Sequence, residues 1–151
     1  MSSFEVTRST TVDAAPENVH ALIDDFHEWQ KWSPWEDVDP NLERTYSGAE
    51  KGVGAKYAWK GNRKAGQGSM EIAGSAPERI DIALTFLKPF KADHDIRFGM
   101  VPSGGSTEVT WTMSGEQKGL AAIFGKFVSM DKLVGKDFEK GLARLKTAAE
   151  A

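Results

Sequence analysis

Large apolar residues recur at three- and four-residue steps through the last third of the chain: Leu120, Phe124, Phe127, Met130, Val134, Phe138, Leu142 and Leu145. This spacing predicts one continuous helical stripe from about Lys118 to Ala148, with Lys126, Lys132, Lys136, Glu139, Lys140 and Arg144 left for solvent. A straight helix of that length would run about 45 Å, against roughly 38 Å across for a compact chain of this size. A break is therefore expected, with Ser129 or Asp131 capping a second, longer helix. Gly125, Gly135 and Gly141 each weaken the segment by about 0.5–1 kcal/mol relative to alanine. The helix must then be held by packing, and its partner has to be found upstream.

The pattern upstream is mostly period two. Phe4 to Val12 alternates and reads as a first strand. Asp13 and Pro16 start a helix to about Asp25, with Val19, Leu22, Ile23 and Phe26 as its apolar face. A second short helix is expected from Phe26 to Trp32, in a stretch dense with Trp29, Trp32 and Trp35 and ended by Pro34. Six more strands are predicted over Leu42–Ser47, Val53–Lys60, Gly66–Gly74, Arg79–Leu87, Lys91–Val101 and Thr107–Gly115. Each of the last five puts an apolar set on one face: Val53, Ala55, Tyr57 and Trp59; Gly68, Met70 and Ile72; Ile80, Ile82, Leu84 and Phe86; His94, Ile96, Phe98 and Met100; Val109, Trp111 and Met113. Short connections imply antiparallel pairing, and one-sided polarity fits an antiparallel sheet whose other face meets water. The expectation is an α+β domain over residues 1–151: a curved antiparallel sheet of about seven strands wrapped around a long C-terminal helix, with two short helices after the first strand.

Three segments carry a family resemblance: AAPENVHALIDDFHEWQKWSPW, then YAWKGNRKAGQGSMEI with the later STEVTWTMSGE, and finally MDKLVGKDFEKGLARLK. Together they span almost the whole chain. It resembles the START-related helix-grip (SRPBCC) superfamily, in particular its bacterial polyketide cyclase/dehydrase-like branch. The resemblance implies a cavity between the concave face of the sheet and the last helix. It is specific for fold, since the superfamily includes lipid carriers, hormone receptors, cyclases and chaperone activators.

Composition narrows the partners. The chain has 151 residues, 40% hydrophobic and 27% charged, as in an ordinary globular protein. A formal charge of −3 gives no general attraction to nucleic acid or anionic lipid. No apolar run approaches the ~20 residues that span a bilayer, and the start, MSSFEVTRST, lacks the features of a signal peptide. The expectation is a cytoplasmic protein, monomer or homodimer, with no nucleic acid partner and no stable membrane insertion. With zero cysteines there is no thiolate chemistry, and His20, His27 and His94 lack metal-ligand spacing. No metal or cofactor is expected.

The inward positions supply candidates for a ligand: Tyr57, Trp59, Met70, Leu84, Phe86, His94, Phe98 and Trp111 from the sheet, facing Phe127, Met130, Val134 and Phe138 from the helix, with Trp35 and its loop guarding one end. Such a lining suits a hydrophobic or aromatic small molecule, and the same residues would equally serve as packed core. His94 is the one histidine on an apolar strand face, and with Tyr57 it is the candidate for proton transfer. The alternative role for His94 is a core residue bonded to a neighbouring hydroxyl such as that of Tyr57. His20 and His27 are placed on exposed helix sides. Glu36, Asp37 and Asp39 are read as a solvated loop after Trp35, and Glu71, Asp81, Asp93, Asp95 and Glu108 as the solvated strand face. Gly66 and Gly68 lie between strands and serve turning and twist rather than phosphate binding. No Ser-His-Asp arrangement is legible. Three functions follow: a small-molecule binding protein, a cyclase/dehydratase-type enzyme using the same cavity, or a chaperone-activator-like interaction module.

Overall fold

A computed structural model of the chain describes residues 2–35, 39–62, 66–88, 91–117 and 130–151. Strand β1 (Ser2–Val12) leads into helix α1 (Pro16–Ile23) and a 3-10 turn (Glu28–Lys31). Strands β2 (Glu43–Gly48), β3 (Ala55–Lys60), β4 (Gln67–Ala76), β5 (Arg79–Lys88), β6 (Ala92–Ser103) and β7 (Ser106–Gln117) follow, and helix α2 (Met130–Glu150) closes the chain. One sheet holds all seven strands in the order β1-β7-β6-β5-β4-β3-β2, each neighbouring pair antiparallel. Six of these strands form a meander, and β1 returns to pair with the last of them. Register shifts at Gln67/Gly68 and Ile72/Gly74 bend β4.

The alternation resolves as expected, because the side-chain period of a strand fixes its faces. Ile72, Ile80, Ile82, Ile96, Phe98, Met100, Val109, Trp111 and Met113 are all buried on one side of the sheet. Val53 is the exception: it sits in the turn before β3, outside any strand, and is 60% exposed. α2 covers the buried side through Phe138, Leu142 and Leu145, with Val134 partly buried against them. Its described part begins at Met130, so Asp131 lies inside the helix, and the earlier stretch from Lys118 to Ser129 falls outside the described residues. Arg144 is half-buried and donates to the Ser33 carbonyl at 3.1 Å, where solvent was expected.

The second expected short helix is only the 3-10 turn, and the tryptophans explain why. The last carbonyls of a helix lack intrahelical donors. Here Trp29 Nε1 donates to Ile23 O and Trp32 Nε1 to Leu22 O, both at 2.8 Å, so the chain doubles back to satisfy the end of α1 with two buried indoles. Both rings are then fixed over the sheet.

Two helix glycines differ in what they permit. A Cβ at Gly141 would stand 2.9 Å from both Pro34 Cδ and Trp111 Cζ3, so this position brings α2 down onto the core. A Cβ at Gly135 would meet only the end of the Arg8 side chain, which can move. Gly141→Val should therefore cost about 1–3 kcal/mol through overpacking, whereas Gly135→Ala should be neutral or gain up to about 1 kcal/mol in helix propensity. Urea midpoints of the two variants test the contrast; equal effects would contradict it.

Candidate functional site

Strand register lines up the inward residues in rows across the sheet. One row reads Tyr46, Tyr57, Met70, Leu84, His94, Gly115 and Phe4. Trp59, Gly68 and Phe86 form the next row on one side. Two rows away on the other side lie Ile80, Phe98 and Trp111. These rows have different surroundings.

The Phe98–Trp111 end is packed to closure. Phe98, Trp111 and Phe138 are 0%, 1% and 0% exposed. Trp111 stacks on Phe138 at 4.1 Å and 7°, and Phe98 lies 4.9 Å from Trp111. Trp29 and Trp32 meet the same two sheet residues edge-on at 5.6–6.4 Å. Trp35, partly exposed, closes this end against Trp111 and Phe138. Phe98, Trp111 and Phe138 are thus core, each walled in by other rings.

Among the described residues, the other end is not closed in this way. Phe4, Trp59, Met70 and Phe86 are only half-buried, although all face the concave side and touch the core. Tyr57 stacks near Trp59 at 6.2 Å, and Trp59 meets Phe86 edge-on at 5.7 Å. Gly68 makes this possible: a Cβ there would strike the Trp59 indole at 2.6 Å as well as the Thr85 carbonyl. Val134 approaches the core from α2, while Phe127 and the side chain of Met130 lie outside the described residues.

His94 sits in this half-buried group, itself 8% exposed. Phe4 and Phe86 meet its ring edge-on at 5.0 and 5.6 Å. Its strand partners are Leu84 and Gly115, so among the described residues no titratable side chain stands directly beside it on β5 or β7. Burial pushes the imidazole down from its usual value, and the Asp93 and Asp95 carboxylates on the outer face pull it back only in part. It is neutral at pH 7. Nδ1 is buried and has no hydrogen-bond partner among the described residues, so the expected bond from a hydroxyl such as Tyr57 does not form at that nitrogen.

Other candidates fall elsewhere. Asp39 is buried rather than solvated: its carboxylate accepts from the backbone N–H groups of Asn41 and Asn62, each at 2.8 Å, pinning the loop ahead of β2 to the end of β3. Glu36 and Asp37 lie outside the described residues. Asp81 bridges Arg79 and Arg97 on the outer face. That face also carries a concavity of about 510 Å³ in which Glu5, Asp81, Asp95 and Arg97 put charged groups among the lining residues. One constellation escaped sequence reasoning. Ser75 Oγ donates to Asp24 at 2.7 Å and lies 3.2 Å from His20 Nε2. The hydroxyl proton therefore points at the carboxylate rather than the imidazole, which ties α1 to β4 and leaves the histidine no proton to take. Among the described residues, no three metal-ligating side chains gather.

A sheet gripping a C-terminal helix, with an aromatic half-buried surface between them, defines the helix-grip class. The chain belongs to the polyketide cyclase / dehydrase and lipid transport family, whose profile it matches over residues 3–150. No curated protein matches it. Solved structures agree in fold. Protein CV1439 from Chromobacterium violaceum superposes with a TM-score of 0.69 at 14% identity, covering 97% of this chain and 98% of that one. The Aha1 dimer from Colwellia psychrerythraea gives 0.69 at 16% identity over 97% and 96%. The di-domain ARO/CYC BexL from the BE-7585A biosynthetic pathway gives 0.69 at 15% identity, covering 99% of this chain and 50% of that protein. No described helix is long and apolar enough to cross a membrane.

The lowered pKa of His94 has a definite sign. The unfolded chain, with an ordinary histidine near 6.5, takes up the proton first as pH falls, so stability from this group is full above about pH 7 and is lost as pH drops through 6.5 toward the folded value. His94→Gln should flatten that part of the profile. Urea unfolding of both proteins between pH 7.5 and 5.5 measures it, and parallel curves would refute the assignment.

Proposed function

We propose that this protein binds an apolar or aromatic small molecule on the concave face between sheet and α2, against Trp59, Met70, Phe86 and His94. One observation carries the reading. The same inner face is packed to closure around Trp111 and left half-buried around His94. Phe4, Trp59, Met70 and Phe86 keep apolar contact area that a ligand can bury, with Tyr57 and His94 as polar tips that orient it. The family's description, which names polyketides and lipid transport, supports an apolar cargo.

A second reading uses the same surface for catalysis of the cyclase/dehydratase type. It is favoured by one specific feature, a neutral, buried imidazole among aromatic rings, which is a chemically usable state near pH 7. The two readings part at His94. In an enzyme, His94→Gln lowers turnover of a cyclisable poly-ketone far more than it lowers affinity; in a carrier it alters affinity alone.

Binding is testable with the neutral fluorophore N-phenyl-1-naphthylamine. The wild-type chain should bind it saturably, and Phe86→Ala should weaken that affinity by about tenfold through lost apolar contact. Phe98→Ala, at the packed end, should instead cost about 3–5 kcal/mol of stability and leave the affinity of the folded fraction near wild type. Absence of saturable binding, or equal loss of affinity in both variants, would overturn the proposal.

A further inference from the structure

The surroundings of His94 decide which of its nitrogens carries the proton. A Cβ on Gly115 would stand 2.5 Å from His94 Nδ1, so this nitrogen rests directly over the bare glycine backbone of the neighbouring strand. It is buried there and meets no acceptor among the described residues. A neutral imidazole has one N–H donor and one bare acceptor nitrogen. Burying an N–H without an acceptor is among the least tolerated defects of a folded protein, whereas a bare nitrogen facing a Cα–H loses far less. The neutral ring therefore places its proton on Nε2. The two nitrogens of an imidazole point in roughly opposite directions, so Nε2 is aimed away from the Gly115 floor, within the half-buried group that holds Phe4 and Phe86 on either side of the ring.

We propose that His94 is a specificity-determining hydrogen-bond donor: its Nε2–H receives an acceptor oxygen, such as the carbonyl of an aromatic ketone, of a ligand lying against Trp59 and Phe86. This rests on the small-molecule reading above and adds the chemistry of one contact. With Nε2 protonated and Nδ1 sealed against Gly115, the neutral ring has no exposed lone pair with which to take a proton from a ligand. His94 positions and polarises an oxygen rather than acting as a base. Gly115 becomes part of the recognition device, because any side chain there would displace the ring.

Two measurements on the full chain test this. Imidazole nitrogen NMR of the ¹⁵N-labelled protein at neutral pH should show His94 protonated at Nε2; a proton on Nδ1 overturns the proposal. Fluorenone and fluorene, which differ by one carbonyl, then serve as probes by tryptophan quenching. The wild type should bind fluorenone about five- to tenfold more tightly than fluorene, the worth of one hydrogen bond. His94→Leu should abolish that preference while still binding fluorene, and His94→Gln, whose amide N–H reaches a similar place, should restore part of it. Equal affinity of the wild type for both probes overturns the donor role and leaves the binding surface standing. Failure to bind either probe overturns the small-molecule reading itself, and this inference with it.

Discussion

The structure depends on the face-to-face contact of Trp111 with Phe138. A seven-stranded sheet presents more apolar surface than a single helix can cover, and the cover works only where backbone and ring approach closely. Gly141 allows that approach: with no side chain, it admits Pro34 and the Trp111 ring against α2. Trp29 and Trp32 then close the sides, anchored by indole bonds to the end of α1. Trp29, Trp32, Phe98, Trp111 and Phe138, from three distant parts of the chain, meet at one place, and each buries a large area whose loss would cost several kcal/mol. The rigid end of the domain is built here.

What remains of the inner face is shaped by what this cluster does not reach. The row through His94 lies two rows beyond Trp111, and beside it Trp59 and Phe86 touch one another while staying half-buried. A rigid, closed end beside a half-buried one gives the fold a floor against which a ligand could be held at little cost in ordering.

Strand identity and facing were legible in the sequence because period-two alternation is a local property. His94, Ile96, Phe98 and Met100 had to share a face once β6 was a strand. Enclosure is not local. Phe86 and Phe98 occupy equivalent positions in the pattern, yet one is half-buried and the other sealed, which depends on where Trp29, Trp32 and Phe138 arrive from elsewhere in the chain. Gly141 looked like a defect in a helix because its benefit lies in another element. Asp39 looked solvated because its two partners are backbone N–H groups, which leave no mark on residue type. The missing partner of His94 Nδ1 likewise depends on the register that sets a glycine opposite it.

The place of β1 at the sheet edge beside β7 has a consequence for the order of assembly. Every backbone pair that secures β1 joins the first twelve residues to the segment from Thr107 to Gln117, and Arg8 then reaches onward to Glu139 of α2. Contacts of such long sequence separation carry a large loop-closure cost before they return any stability. During synthesis the first strand leaves the ribosome with no partner yet made, while the meander from β2 to β7 can zip neighbour to neighbour. Of the seven strands, β1 is the one whose partner is made longest after it.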